Sequence, residues 1–90
     1  MAATFPLRII THEETVFDGE IESLIAPGAL GSLGILARHA PLLTTLTEGK
    51  IAIRDAQGRS HLFRVQGGIL EVSRNHAVVL TRNIERIPTS

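Results

Sequence analysis

The stretch Pro27-Gly28-Ala29-Leu30-Gly31-Ser32-Leu33-Gly34-Ile35-Leu36-Ala37-Arg38-His39-Ala40-Pro41-Leu42-Leu43-Thr44 decides how this chain is read. Three glycines spaced by three (Gly28, Gly31, Gly34) run directly into Ile35-Leu36 and then into His39-Ala40-Pro41. Glycines that dense let the backbone reach φ > 0 and approach other segments closely, so this is a shaped loop entering a short buried strand. Outward from it the apolar residues follow a period of two. Phe5, Leu7 and Ile9 alternate with Pro6, Arg8 and Ile10; Ile51 and Ile53 alternate with Lys50, Ala52 and Arg54; Phe63 and Val65 share one face. Breakers arrive at Asp18-Gly19, Pro27-Gly28, Gly49, Gln57-Gly58, Gly67-Gly68 and Arg74-Asn75.

That punctuation predicts an all-β fold: a flattened antiparallel β-sandwich or barrel of about eight to ten short strands. No window places apolar residues at i, i+3, i+4, i+7 over three turns without an intervening Gly or Pro, so no helix is expected. A single domain over residues 1–82 is expected, with 83–90 as a short tail whose Pro88-Thr89-Ser90 end frays. Gly67-Gly68 reads as a bulge or a corner where a strand changes sheets, and Gly68→Val there costs about 1–3 kcal/mol through backbone strain.

Composition narrows the function. Ninety residues bury only about 60–65% of the unfolded surface, which sets stability on the order of 5 kcal/mol. The chain is 43% hydrophobic with three aromatics, all Phe, so its core is aliphatic. Nine basic and nine acidic residues cancel, which argues against nucleic acid, because phosphate binding needs a basic excess. The absence of cysteine removes disulfides and thiolate metal sites and fits a reducing compartment. No apolar run approaches the roughly 20 residues that span a bilayer, and no signal-peptide core follows Met1. Any work at a membrane is expected to go through another protein.

Catalytic constellations do not assemble. Gly49-Lys50 lacks the rest of a phosphate loop, with Thr44 and Ile51 at the positions that need Gly and Ser/Thr. The Gly28/Gly31/Gly34 spacing is not that of a dinucleotide loop, and no serine sits in a nucleophile elbow. His12, His39, His61 and His76 are too scattered in sequence to form a zinc motif. Glu13-Glu14 and Glu20/Glu22 read as solvated strand ends. By its own residues the chain is not an enzyme and needs no cofactor or metal.

Three motifs in order carry a resemblance to one family. The run from Gly31 to Thr44 resembles the G-E-[LF]-G-[IV]-L-x-x-H-A-P-L-L-T segment of the ε subunit of F-type ATP synthases. Val16-Phe17-Asp18-Gly19 resembles that family's V-F-x-G turn, after an entry strand at Leu7–Thr11. Gly67-Gly68-Ile69-Leu70-Glu71-Val72 resembles its G-G-[FI]-L-E-V signature, followed by the turn at Asn75 and the apolar strand Ala77–Thr81. The resemblance spans about Leu7 to Thr81.

What it implies is a non-catalytic rotor subunit in the central stalk of an F1Fo ATP synthase. Such a subunit binds γ, rests on the polar loops of the membrane c-ring, and couples ion flow to the α/β catalytic hexamer. The membrane is reached only through the c-ring, on the cytoplasmic face of a bacterial inner membrane, an organellar membrane being the lesser alternative. By motif position, Ala29, Leu30, Gly31 and Ser32 fall on the ring-facing loop, and Arg38 and His39 near the γ and ring contacts; Gly28, Gly34, Gly67 and Gly68 are expected to be structural. The chain departs from the pattern in two places. Ser32 stands where Glu is frequent, and Ala37-Arg38 replaces a frequent Pro-Gly. About ten residues follow the last recognised strand, too few for the family's regulatory helical hairpin; a natural short form and a trimmed one both fit. The rival reading is a small stand-alone sandwich that binds carbohydrate or peptide, which the lack of Trp and Tyr disfavours.

Overall fold

In the computed structural model, which describes residues 3–89, alternation becomes burial at once. Strand β1 (Phe5–Ile10) sends Phe5, Leu7 and Ile9 inward to 1% exposure or less and turns Arg8 outward. It is followed by β2 (Thr15–Gly28), β3 (Gly31–Leu36), β4 (Leu42–Asp55), β5 (Ser60–Ser73), β6 (His76–Leu80) and β7 (Ile84–Ile87). The described residues contain no helix.

Seven strands replace the expected eight to ten because three of them are 14 residues long. Asp18-Gly19, Gly49 and Gly67-Gly68 lie inside β2, β4 and β5, where they bend a strand rather than end it. The long strands change neighbours partway. β2 pairs with β1 up to Ile21 and with β3 from Ser23. β5 pairs with β7 over Leu62–Val65 and with β6 over Ile69–Ser73. β2 and β5 therefore each serve both layers of the sandwich.

The order β1–β6–β5–β4–β2 closes on itself, because β2 also pairs with β1. β3 extends the β2 edge and β7 the β5 edge. One rung is parallel: Leu7 to Ile10 of β1 run alongside Ala77 to Leu80 of β6. The resulting body measures 33 × 31 × 24 Å. Residues 84–87, expected in a tail outside the domain, form β7 instead, and Ile84 packs against the core. The frayed end expected at Pro88-Thr89-Ser90 reaches Ser90, which lies outside the described residues.

Both inner faces supply one aliphatic core. Leu7, Ile9, Leu70, Val72, Ala77 and Val79 meet Leu24, Ile35, Ile51, Ile53, Phe63 and Val65, all at 2% exposure or less. Burying a side chain of this class stabilises by about 1.5–3 kcal/mol. Two polar groups share the interior margin, Asp55 and Thr81, and both are hydrogen-bonded. Thr81 Oγ1 donates to the Gly67 carbonyl at 2.7 Å, pinning the glycine pair to the end of β6.

Candidate functional site

The β2–β3 hairpin forms the first candidate surface. Ala29 and Leu30 are its two-residue loop, closed by Gly28 opposite Gly31. Gly31 has φ 127°, a conformation that costs other residues strain and lets the hairpin turn tightly. A Cβ on Gly28 would come within 2.9 Å of the Gly31 carbonyl and 2.8 Å of the Leu33 side chain, so that position has no room for one. The winding leaves Leu30 fully outside, at 105% exposure. Ser32 is exposed opposite Pro27.

Arg38 and His39 lie elsewhere. Six residues of β3 separate the hairpin tip from them, a span of about 20 Å at strand rise. The six residues expected at one interface therefore form two patches at opposite ends of β3. Arg38 adopts φ 65°, and its backbone N–H donates to Asn75 Oδ1 at 2.6 Å. Asn75 is itself left-handed at φ 60° in the β5–β6 turn, and its amide reaches the Thr4 carbonyl at 3.5 Å. One side chain thus ties the 37–41 loop and the residue before β1 to the β5–β6 turn. His39 Nδ1 donates to the Ala40 carbonyl at 2.7 Å. The Arg38 guanidinium makes no ion pair among the described residues and gives this patch a free positive charge.

The other glycines separate by geometry. Gly68 has φ 141°, and a Cβ there would lie 2.5 Å from the Leu80 carbonyl oxygen; Gly67 has φ 89°. Gly34 is different. A side chain there would meet open space at an ordinary φ, so the backbone makes no demand for glycine. Its effect is on the neighbour, since Gly34 lies opposite Ile25 and leaves it 49% exposed.

Sequence reasoning missed five further exposed apolar residues: Ile25, Leu36, Leu43, Ile69 and Leu80. Strand register gathers most of them into two stripes on the outer faces. On one face Ile10, Leu80 and Ile69 lie side by side across β1, β6 and β5, with Leu43 and Val78 in the adjacent row. An open groove of about 560 Å³ runs along this stripe, floored by Ile10, Ile69 and Leu80, with His12 and Arg82 also lining it. On the other face Ile25, Ala52, Leu62 and Ile87 lie side by side across β2, β4, β5 and β7. The signal was present in the sequence. Consecutive apolar pairs such as Leu42-Leu43, Ile69-Leu70 and Val79-Leu80 must point one member outward when a sheet buries one face only.

A closed aliphatic sandwich with exposed apolar stripes and an exposed hairpin tip defines the class as a β-sandwich domain. The family model for the ATP synthase delta/epsilon chain β-sandwich domain matches residues 4–87. This chain belongs to that family. The ATP synthase epsilon chain of Acidithiobacillus ferridurans is 42% identical over 86 residues, covering 96% of this chain and 60% of that one. The epsilon chain of Chlorobaculum tepidum is 41% identical over 80 residues, covering 89% of this chain and 91% of that one. The chain thus spans about 60% of the first relative's length and nearly all of the second's. A chain of the Euglena gracilis mitochondrial ATP synthase shares the fold, with a TM-score of 0.87 at 17% identity over 96% of this chain and 55% of that one.

Proposed function

We propose that this chain is a rotor subunit of the central stalk of an F1Fo-type ATP synthase, joining γ to the c-ring so that ion translocation couples to ATP synthesis or hydrolysis. The observation that carries the reading is the family match across residues 4–87 on a body whose uncovered apolar surface lies in separate places. A subunit that joins two partners needs two surfaces. Leu30 at the hairpin tip suits a shallow contact with the ring loops, and the stripe through Ile10, Leu80, Ile69 and Leu43 suits the broader contact with γ.

Torque transfer asks for stiffness rather than reactivity. A ring of strands closed through the β1–β2 pairing and packed around aliphatic side chains resists compression and shear. Arg38 sets the sign of the polar contribution, favouring an acidic patch on the partner, and Ser32 contributes no charge at the tip. Exposed ion pairs contribute only about 0–1 kcal/mol each, so shape and apolar contact dominate the affinity.

The subunit makes no bond-breaking contribution to ATP chemistry in this reading, and it meets the cytoplasmic face of a bacterial inner membrane through the c-ring. Affinity capture of the tagged chain from detergent-solubilised native membranes tests it. Recovery of γ and c with the tagged chain is the expected result. Capture of glycan or peptide without γ and c would transfer the chain to the stand-alone binding class.

A further inference from the structure

A buried-edge cluster lies on the side of β7. Asp55 ends β4 at 8% exposure, and its Oδ1 accepts the backbone N–H groups of Gln57 and Arg59, each at 2.9 Å. Its Oδ2 takes His61 Nε2 at 2.8 Å. The other imidazole nitrogen, Nδ1, lies 3.1 Å from Arg86 Nη1 on β7. Arg86 also sits over the Phe63 ring, 4.7 Å from its centroid. The Phe17 ring of β2 meets the imidazole edge-on at 5.2 Å.

Proton bookkeeping fixes the state of this cluster. A guanidinium only donates, so His61 Nδ1 accepts and the ring proton sits on Nε2, where it donates to the carboxylate. The neutral Nε2–H imidazole satisfies all three groups. A second proton has one place to go, Nδ1, and there it sets N–H against N–H and cation against cation. The charged groups facing the ring are Asp55 from β4 and Arg86 from β7; β2 presents only Phe17. Asp55 holds a protonated ring more strongly than a neutral one, so Arg86 is the partner that leaves.

We infer that His61 is a proton-operated latch for β7: neutral, it ties the strand through Arg86 to Asp55, and protonated, it releases it. β7 is disposed to respond. It has four residues, pairs with β5 along one edge only, and its remaining side-chain anchors are Ile84 against the core and the stacking of Arg86 on Phe63. Short edge strands sit at the low end of local stability. Imidazole is the side chain whose charge ordinarily changes between about pH 5 and 8. Its release unpins Ile87 from Leu62 and removes one end of the second apolar stripe. The inference is independent of which partners the domain binds.

Nuclear magnetic resonance on the full chain tests it. Long-range ¹H–¹⁵N correlation at about pH 8 should show the Nε2–H tautomer at His61. Hydrogen-exchange protection factors, already corrected for intrinsic rate, should fall about three-fold or more for residues 84–87 between about pH 8 and about pH 5, while Leu70 and Val79 stay unchanged. In His61→Gln the response of 84–87 should vanish. In Arg86→Gln, a change at an exposed position, protection should be low at both pH values. An Nδ1–H tautomer, or a pH response of β7 that persists in His61→Gln, would overturn the latch and assign the effect to another group.

Discussion

Replacing Gly68 with alanine should be among the most damaging single-methyl changes this chain can receive. Two terms add. At φ 141° a side chain is strained whatever the space, which costs about 1–3 kcal/mol. The added Cβ would also stand 2.5 Å from the Leu80 carbonyl oxygen and 3.0 Å from Thr81 Cβ. Relief requires the end of β6 to move, and with it the Thr81 hydroxyl bond to Gly67 and the Thr81 N–H bond to Ile10 at 3.1 Å. Moving backbone adds a further 1 kcal/mol or so, the net worth of a typical hydrogen bond. The sum is about 2–4 kcal/mol, against a total for a chain of this size of roughly 5–13 kcal/mol. At about 4–8 °C per kcal/mol, the melting temperature should fall by about 8–32 °C. Two neighbouring glycines supply internal controls. Gly31→Ala meets no atom within 4 Å but keeps φ 127°, so it carries the strain term alone, about 1–3 kcal/mol. Gly34→Ala carries neither and should stay within about 0.5 kcal/mol of the parent. Thermal melts followed by circular dichroism, paired with urea titrations at constant m-value, measure all three. The order Gly68, Gly31, Gly34 is the prediction; a Gly68→Ala melt within about 3 °C of the parent refutes the reasoning.

Leu30→Asp should leave the melt unchanged, because the side chain is fully exposed, yet abolish disulfide crosslinking between cysteines placed at Ser32 and on a c-ring loop of assembled enzyme. If the Ser32 cysteine never crosslinks even with Leu30 intact, the hairpin is not the ring contact. Asn75→Gly keeps the left-handed turn but removes the acceptor for the Arg38 N–H; it should cost about 0.5–1.5 kcal/mol and speed exchange of that amide specifically. Asp55 is held below the usual carboxylate range, chiefly by the hydrogen bond from His61 and further by the N–H groups of Arg59 and Gln57. Its folded value lies below its unfolded one, so the stability it contributes is fully present above about pH 4 and is lost as pH falls through the lower folded value. Asp55→Asn should therefore flatten the acid limb of the stability–pH curve, and an unchanged acid midpoint would refute this.

Much of the architecture was readable before any coordinate. Period-two runs grouped Phe5, Leu7 and Ile9, Ile51 and Ile53, and Phe63 and Val65 on common faces, and each is buried. What a local reading could not see were the effects of distant partners. Gly49 and Gly67-Gly68 look like strand ends in sequence, yet their strands continue because β4 and β5 stay paired to each other across both bends. Ile84-Glu85-Arg86-Ile87 carries no alternation, and it becomes a strand only because Leu62–Val65 of β5 offers a free edge. The candidate surface was partly legible. The glycine spacing marked a shaped loop and motif position put Leu30 on it, whereas the outer stripes depend on cross-strand register that no single segment contains. His61 and Arg86 stand 25 residues apart and meet only through the β5–β7 pairing.

The parallel rung between β1 and β6 also bears on how the molecule is made. β1 leaves the ribosome first, but Leu7 must wait for Ala77, seventy residues later, before its second edge is filled. Until then the chain presents a Phe-, Leu- and Ile-bearing strand with an open row of amides, the kind of edge that pairs with strangers. Closure so late in synthesis makes assembly slow relative to a helical domain of this length, since distant contacts must form before they stabilise anything. A nascent chain stalled at Ser73 should bind chaperone and expose β1 to protease, and one released past Leu80 should do neither. β1, made before the other described strands, has its second edge filled only when β6 arrives.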